Sequence, residues 1–226
     1  MSGYYINVNI KTDDAVRVRE AITAIFAAEG FQFFHDQSAA AVIEDDGLLE
    51  DEKYGVILSG ASGSGWVSVY VDDWQDSGFL AKRFSQSLAA PVLEVWVVED
   101  VHWGYTYYEN GEVKDRFADD PAQLGETEAE ALLYRGNATA LAPILQTASA
   151  EFSALLNEAR NKAGQFAGEP LDTLAQTIGI PFEHIFTGYD YFFTDDPEDY
   201  GPDLENWAQF GFLAFTPPKG RETLSE

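Results

Sequence analysis

Alternating apolar and polar positions near the N-terminus predict the first strand of a sheet, over residues 4–10. Thr12 is suited to cap a following helix, and Gly30 is suited to end it in a left-handed conformation. Residues 31–34 then read as a returning strand, which completes a strand–helix–strand unit. One face of the predicted helix carries apolar residues at helical spacing: Val18, Ala21, Ile22, Ile25 and Phe26.

A second unit with the same order of elements follows. Residues 66–71 and 92–98 have the composition of strands, and the helix between them places Leu80, Phe84 and Leu88 about one turn apart. Residues 103–108 and 112–117 then predict a hairpin, because the Asn-Gly pair between them favours a tight turn.

These two units predict an α+β fold with a mixed or antiparallel sheet of ferredoxin-like character and helices on one face. The apolar faces of sheet and helices must bury each other, so one shared core is expected. Its expected members are Ile22, Phe26, Val69, Phe84, Leu88, Val95 and Val97.

The pattern becomes helical after Pro121. Thr127 and Glu130 form a capping-box pair, and a further helix is expected to end at Gly179. Residues 182–215 contain eleven aromatic residues, and residues 189–194 and 209–215 are predicted strands. The expected organisation is an α+β unit over 1–118, a helical and aromatic-rich part over 119–216 packed on it, and a tail over 217–226.

Composition narrows the classes of function. Thirty-nine acidic and thirteen basic residues give a formal net charge of -26, with 46% hydrophobic residues. This hydrophobic content excludes a disordered acidic tail, and the charge argues against binding of nucleic acid or anionic lipid. No apolar run is long enough to span a membrane, and no secretory signal is present, so a cytoplasmic location is expected. The oligomeric state is left open.

Local clusters of acids matter more than the net charge. Spread over about 10,000 Å² of surface, the net charges would lie about 20 Å apart, well beyond a Debye length of about 8 Å. Residues 44–52, 72–76 and 195–205 are the three densest clusters. The first is a candidate binding site for a basic protein, with a solvated loop as the alternative, and its acids are Glu44, Asp45, Asp46, Glu50, Asp51 and Glu52.

Aromatic residues on the predicted strands suggest a second candidate binding surface. It is either an open face suited to protein recognition, where Tyr and Trp are enriched, or a face that the C-terminal helices cover. The candidate residues are Trp66, Tyr70, Trp96, Trp103, Tyr105 and Tyr107.

Catalytic and cofactor motifs are not recognised in the sequence. The chain has no cysteine, and its three histidines are widely separated, so neither a metal site nor a catalytic residue is assigned. The glycines at 60, 63 and 65 precede a strand and lack the Gly-Lys-Ser/Thr of a phosphate loop, so no nucleotide cofactor is expected. Acid clusters do not follow the spacing of a calcium loop.

Three segments resemble acidic immunity proteins of bacterial polymorphic-toxin systems and neighbouring uncharacterised families: residues 65–70, residues 92–98 with 103–115, and residues 171–180. The resemblance covers about a third of the chain, and no functional residue is carried over. It favours a non-enzymatic protein that masks a basic partner, such as a toxin nuclease. The alternatives are a hydrolase or carbohydrate-binding protein with an acid–aromatic cleft, and a housekeeping protein whose charge serves only solubility.

Overall fold

The computed structural model describes residues 4–38, 53–60, 63, 65–124, 127–193, 210–220 and 223–224. Four 3-10 turns, at Trp74–Asp76, Pro121–Leu124, Leu132–Tyr134 and Tyr189–Phe193, accompany the regular elements in these ranges. The helices and strands are, in chain order, β1 (Tyr4–Ile10), α1 (Ala15–Ala28), β2 (Gln32–Ser38), β3 (Tyr54–Leu58), β4 (Val67–Val71), α2 (Ser77–Ser87), β5 (Val92–Val98), β6 (His102–Glu109), β7 (Glu112–Ala118), α3 (Glu128–Ala131), α4 (Ser149–Asn161), α5 (Gly168–Ile178), α6 (Phe182–Ile185) and β8 (Gly211–Thr216).

Eight strands in the described ranges form one antiparallel sheet, in the order β2-β8-β3-β4-β1-β5-β6-β7. This confirms the predicted α+β class. The second predicted unit, β4-α2-β5, encloses only β1, as in a split β-α-β motif. The first unit, β1-α1-β2, encloses three strands. One of them is β8, so the C-terminal part supplies a strand to the sheet that the N-terminal part begins.

The two faces of the sheet are covered by different parts of the chain. We call the side under α1 and α2 the helix-pair face. Its core joins Ile22, Phe26, Val69, Phe84 and Leu88, as predicted. We call the other side the C-terminal face, because α4, α5 and α6 cover it together with the 3-10 turn Tyr189–Phe193.

The expectation that Val95 and Val97 belong to the helix-pair core is wrong. Both side chains are fully buried, but they lie on the C-terminal face with Leu93. The other side of β5 carries Glu94 and Trp96. Because β5 is buried on both faces, the β-branched side does not identify which helices cover it.

Local signals explain most element ends. Asn110 and Gly111 both have positive φ, as the tight hairpin turn between β6 and β7 requires. Gly179 ends α5 in the left-handed conformation, and Thr127 with Glu130 forms the predicted capping box. Two expectations need correction. The N-cap of α1 is Asp14 rather than Thr12, and Tyr189–Phe193 is a 3-10 turn rather than a strand.

Candidate functional site

The aromatic residues predicted to form a binding surface are buried. Five of them lie on the C-terminal face with at most 1% of their surface exposed: Trp66, Tyr70, Trp103, Tyr105 and Tyr107. The sixth, Trp96, lies on the opposite face against Gly104, where a Cβ atom would overlap the indole ring. An open aromatic face is therefore wrong. The alternative, coverage by the C-terminal part, holds for the five residues of the C-terminal face but does not apply to Trp96, which lies on the other face.

Four of these aromatic side chains donate hydrogen bonds to internal partners. The indole N–H of Trp66 donates to the Ile178 carbonyl at 3.0 Å, and the Tyr70 hydroxyl donates to the His184 carbonyl at 3.2 Å. The Tyr105 hydroxyl donates to Asp115 Oδ2 at 2.9 Å, and the Tyr107 hydroxyl to Glu109 Oε1 at 2.5 Å. These bonds satisfy groups that would otherwise lose their hydrogen bonds to water on burial.

A buried polar network joins the C-terminal face to the sheet, and no sequence pattern predicted it. Asn7 Nδ2 donates to the carbonyls of Ile185 and Thr187, at 2.7 and 3.1 Å. The Ser68 hydroxyl donates to Asn9 Oδ1 at 2.6 Å and lies 3.3 Å from His184 Nδ1. Ser68 is fully buried and His184 is 7% exposed, so this serine–histidine pair cannot reach a substrate. Its role is structural.

The surface candidate is a group of three carboxylates that we call the acidic rim: Asp72, Asp73 and Asp190. Asp72 and Asp73 directly follow β4, and Asp190 lies in the 3-10 turn Tyr189–Phe193. The ring of Tyr189 brings this turn against β3, because Gly55 has no side chain. A Cβ atom at Gly55 would overlap the Tyr189 hydroxyl. Asp76, the last acid of the 72–76 cluster, instead points inward and accepts hydrogen bonds from the Tyr54 hydroxyl and the Leu224 N–H, at 2.9 and 2.7 Å.

The acidic rim carries negative charge that no described Lys or Arg compensates. Partial burial raises the pKa of the Asp72 carboxyl to about 6. A hydrogen bond from the Gly55 backbone opposes this rise, and the charges of Asp190 and Asp73 add to it. Burial also raises the pKa of Asp190. Among the residues that the structure describes, no Lys or Arg forms an ion pair with these three carboxylates. A cation brought to this surface would therefore relieve the repulsion.

The acidic rim is only part of what the sequence predicts. The six acids Glu44, Asp45, Asp46, Glu50, Asp51 and Glu52 lie outside the described residues, as does the 195–205 cluster. Sequence analysis identifies Asp72 and Asp73 within a cluster but does not single out Asp190. Its position depends on the contact between Tyr189 and Gly55, which are far apart in the chain.

The other candidates for chemistry are the histidines and the acid pairs of the described ranges. Within the described ranges, no group of three or more His, Asp or Glu side chains is arranged to hold a metal ion. His35, His102 and His184 lie on β2, β6 and α6. Glu158 and Glu169 share a cavity of about 70 Å³, but both bind the Lys162 ammonium, at 2.8 and 3.3 Å. That cavity is too small for a sugar ring and holds no free acid pair.

Comparisons with known proteins found no match. Neither a protein-family model, nor a curated protein, nor a solved structure matches the chain. None of the described helices is both long and apolar enough to cross a membrane.

Proposed function

We propose that the protein is a non-enzymatic binding protein that recognises a basic partner through the acidic rim. The observation that carries this proposal is that the negative charges of Asp190 and Asp73 act on the Asp72 carboxyl, while none of the three has an ion-pair partner among the described residues. Carboxylates that repel one another in the free protein gain when Lys or Arg side chains approach them. The resemblance to immunity proteins suggests the class of partner, a nuclease with a basic nucleic-acid groove.

This proposal has a specific pH dependence. The pKa of Asp72 is about 6 in the free protein. A bound cation lowers that pKa, so binding releases protons and strengthens as pH rises from about 5 toward 7. Above that range the carboxylate is ionised in both states, and the affinity should level off.

The test measures association of a labelled oligoarginine peptide by stopped flow, at low and moderate salt. In the rim variant, Asp72→Asn, Asp73→Asn and Asp190→Asn are combined. We expect its on-rate to fall about tenfold or more at low salt, because clustered charge steers encounter. Raising the salt should remove most of the difference between this variant and the unmodified protein.

A second triple variant provides the matched control. It combines Glu20→Gln, Glu128→Gln and Glu151→Gln, which removes the same charge from three exposed and separated positions. If both variants slow association equally, recognition by the rim fails, and charge that serves only solubility becomes the better account. Neutralising the six acids of residues 44–52 tests that cluster separately, with a further fall in on-rate as the expected result.

A further inference from the structure

A small cleft in this acidic protein is lined by two of its thirteen basic residues. The cleft lies where β1 ends, α1 begins and the loop after α2 passes, and its volume is about 220 Å³. Lys11 and Arg17 both line it, together with Thr12. We call it the cation cleft. Its position is distant in the chain from the acidic rim, and the inference does not rest on the proposed function.

Lys11 is held at the cleft by contacts that remove part of its water. Its ammonium lies 4.6 Å from the centroid of the fully buried Trp66 ring, and its backbone N–H donates to the Pro91 carbonyl at 2.9 Å. Partial burial lowers the pKa of this ammonium. A dehydrated cation at a fixed position attracts an anion more strongly than one that extends freely into water.

Arg17 is oriented from the other wall of the cleft. Its Nη2 donates to the Leu88 carbonyl at 3.1 Å, which leaves the remaining guanidinium N–H groups for other acceptors. Within the part of the chain that the structure describes, no carboxylate lies within ion-pair distance of this guanidinium. The following residue, Ala89, also lines the cleft and has φ 48°, a left-handed conformation that a non-glycine residue rarely adopts.

Among the described residues of the lining, Asp14 is the one acid, and its charge opposes an anion. Its Oδ1 is already engaged, because it accepts the Arg17 backbone N–H at 2.9 Å as the N-cap of α1. Negative charges farther than about 8 Å from the cleft are screened at physiological salt.

We propose that the cation cleft binds a phosphate-class oxyanion, either free or as one group of a small ligand. Arg17 offers a planar fork of donors that matches two oxyanion oxygens, and Lys11 offers a compact charge. The volume holds about seven waters at ~30 Å³ each, enough for one hydrated phosphate group. It is below the range of about 300–1,000 Å³ typical of sites for whole drug-sized ligands.

The test is a titration of the full chain with inorganic phosphate, followed by the backbone amide resonances of Lys11 to Arg17. Sodium chloride at matched ionic strength is titrated in parallel. We expect saturable shifts with phosphate alone, and a loss of affinity of about tenfold or more in Arg17→Gln and in Lys11→Gln. Asp14→Asn keeps the helix cap and removes the opposing charge, so phosphate should bind several-fold more tightly to it.

Lys82→Gln is the control, because Lys82 is exposed on α2 and does not line the cleft. Its affinity for phosphate should equal that of the unmodified protein. Equal losses in Lys82→Gln and Arg17→Gln, or equal shifts with chloride, would overturn the proposal. Titration with glycerol phosphate shows whether the ligand is free phosphate or the phosphate group of a small molecule. If glycerol phosphate binds more tightly than inorganic phosphate, the ligand is a larger molecule that carries a phosphate group. If glycerol phosphate does not bind, the ligand is the free ion.

Discussion

The two faces of the sheet are both buried, but they are stabilised differently. The helix-pair face is largely aliphatic, with Val8, Ile10 and Val69 against α1 and α2. The C-terminal face combines large aromatic rings with a hydrogen-bonded network from Asn7 to His184. Aliphatic burial is strong but undirected, whereas buried polar groups require particular partners. The network from Asn7 to His184 orients the C-terminal layer on the sheet. On the helix-pair face the core is mainly aliphatic, and the bond from Ser77 of α2 to the buried Glu94 of β5 adds direction at one point.

Loss of the Trp66 side chain should have the largest effect on stability. This ring is fully buried on the C-terminal face, and its indole N–H donates to the Ile178 carbonyl. Trp66→Ala should lower the free energy of unfolding by about 3–5 kcal/mol, as measured by urea denaturation. Trp66→Phe keeps most of the ring but leaves the carbonyl unpaired, at a cost of about 1–3 kcal/mol. A loss below about 1 kcal/mol in Trp66→Ala would mean that this face is open in solution.

Neighbouring residues on β1 allow the two faces to be tested side by side. Asn7 faces the C-terminal layer, and Val8 faces α1 and α2. Asn7→Ala should lower the free energy of unfolding by about 1–3 kcal/mol for each buried group that it leaves unpaired. It should also accelerate hydrogen exchange selectively in α5 and α6. Val8→Ala should lower stability by about 2 kcal/mol through lost burial, without selective exchange in those helices. The same exchange pattern in both variants would contradict a directed role for the network.

The buried titratable groups of the two faces should respond to pH in opposite directions. Burial raises the pKa of Glu94, which accepts hydrogen bonds from Ser77 and Tyr108 beside the charge of Arg116. Its contribution to stability therefore falls as pH rises from about 4.5 through the raised pKa. Burial lowers the pKa of His184, and Glu183 opposes that shift. The contribution of His184 is present above about pH 6.5 and is lost as pH falls through the lowered pKa.

Two single variants separate these effects in denaturation experiments at a series of pH values. Relative to Glu94→Gln, the unmodified protein should lose stability with rising pH, and relative to His184→Gln it should lose stability with falling pH. Each slope is limited to about 1.4 kcal/mol per pH unit, because one proton is exchanged. Slopes of the same sign for both residues would show that burial is not the main cause of the pKa shift at one of them.

Sequence patterns predicted the fold class and most elements, because periodicity and caps act locally. The apolar positions of α1, α2 and α5 define their buried faces, and Asn110 with Gly111 defines a turn. Local patterns did not reveal the order of strands. That order places β8 between β2 and β3. Nor did local patterns reveal the packing of Tyr189 on Gly55, which positions the turn that carries Asp190. Because β5 is buried on both faces, the sequence pattern could not show that Val95 lies on the C-terminal face.

The residues that end α5 and α2, one helix on each face, are expected to have the smallest effect on stability. The chain leaves α5 through Gly179, which adopts positive φ at little cost, but it leaves α2 through Ala89 at φ 48°. A left-handed alanine is strained by about 1–2 kcal/mol, whereas glycine loses more conformational entropy on folding. Ala89→Gly should therefore raise the free energy of unfolding by about 0.5–1 kcal/mol, measured by urea denaturation. The reverse exchange, Gly179→Ala, should lower it, because the new Cβ would also overlap the Gln146 amide. If Ala89→Gly lowers stability instead, the contacts of the Ala89 methyl group outweigh its backbone strain. The loop after α2 would then be stabilised by packing, whereas the C-terminal layer is stabilised by hydrogen bonds.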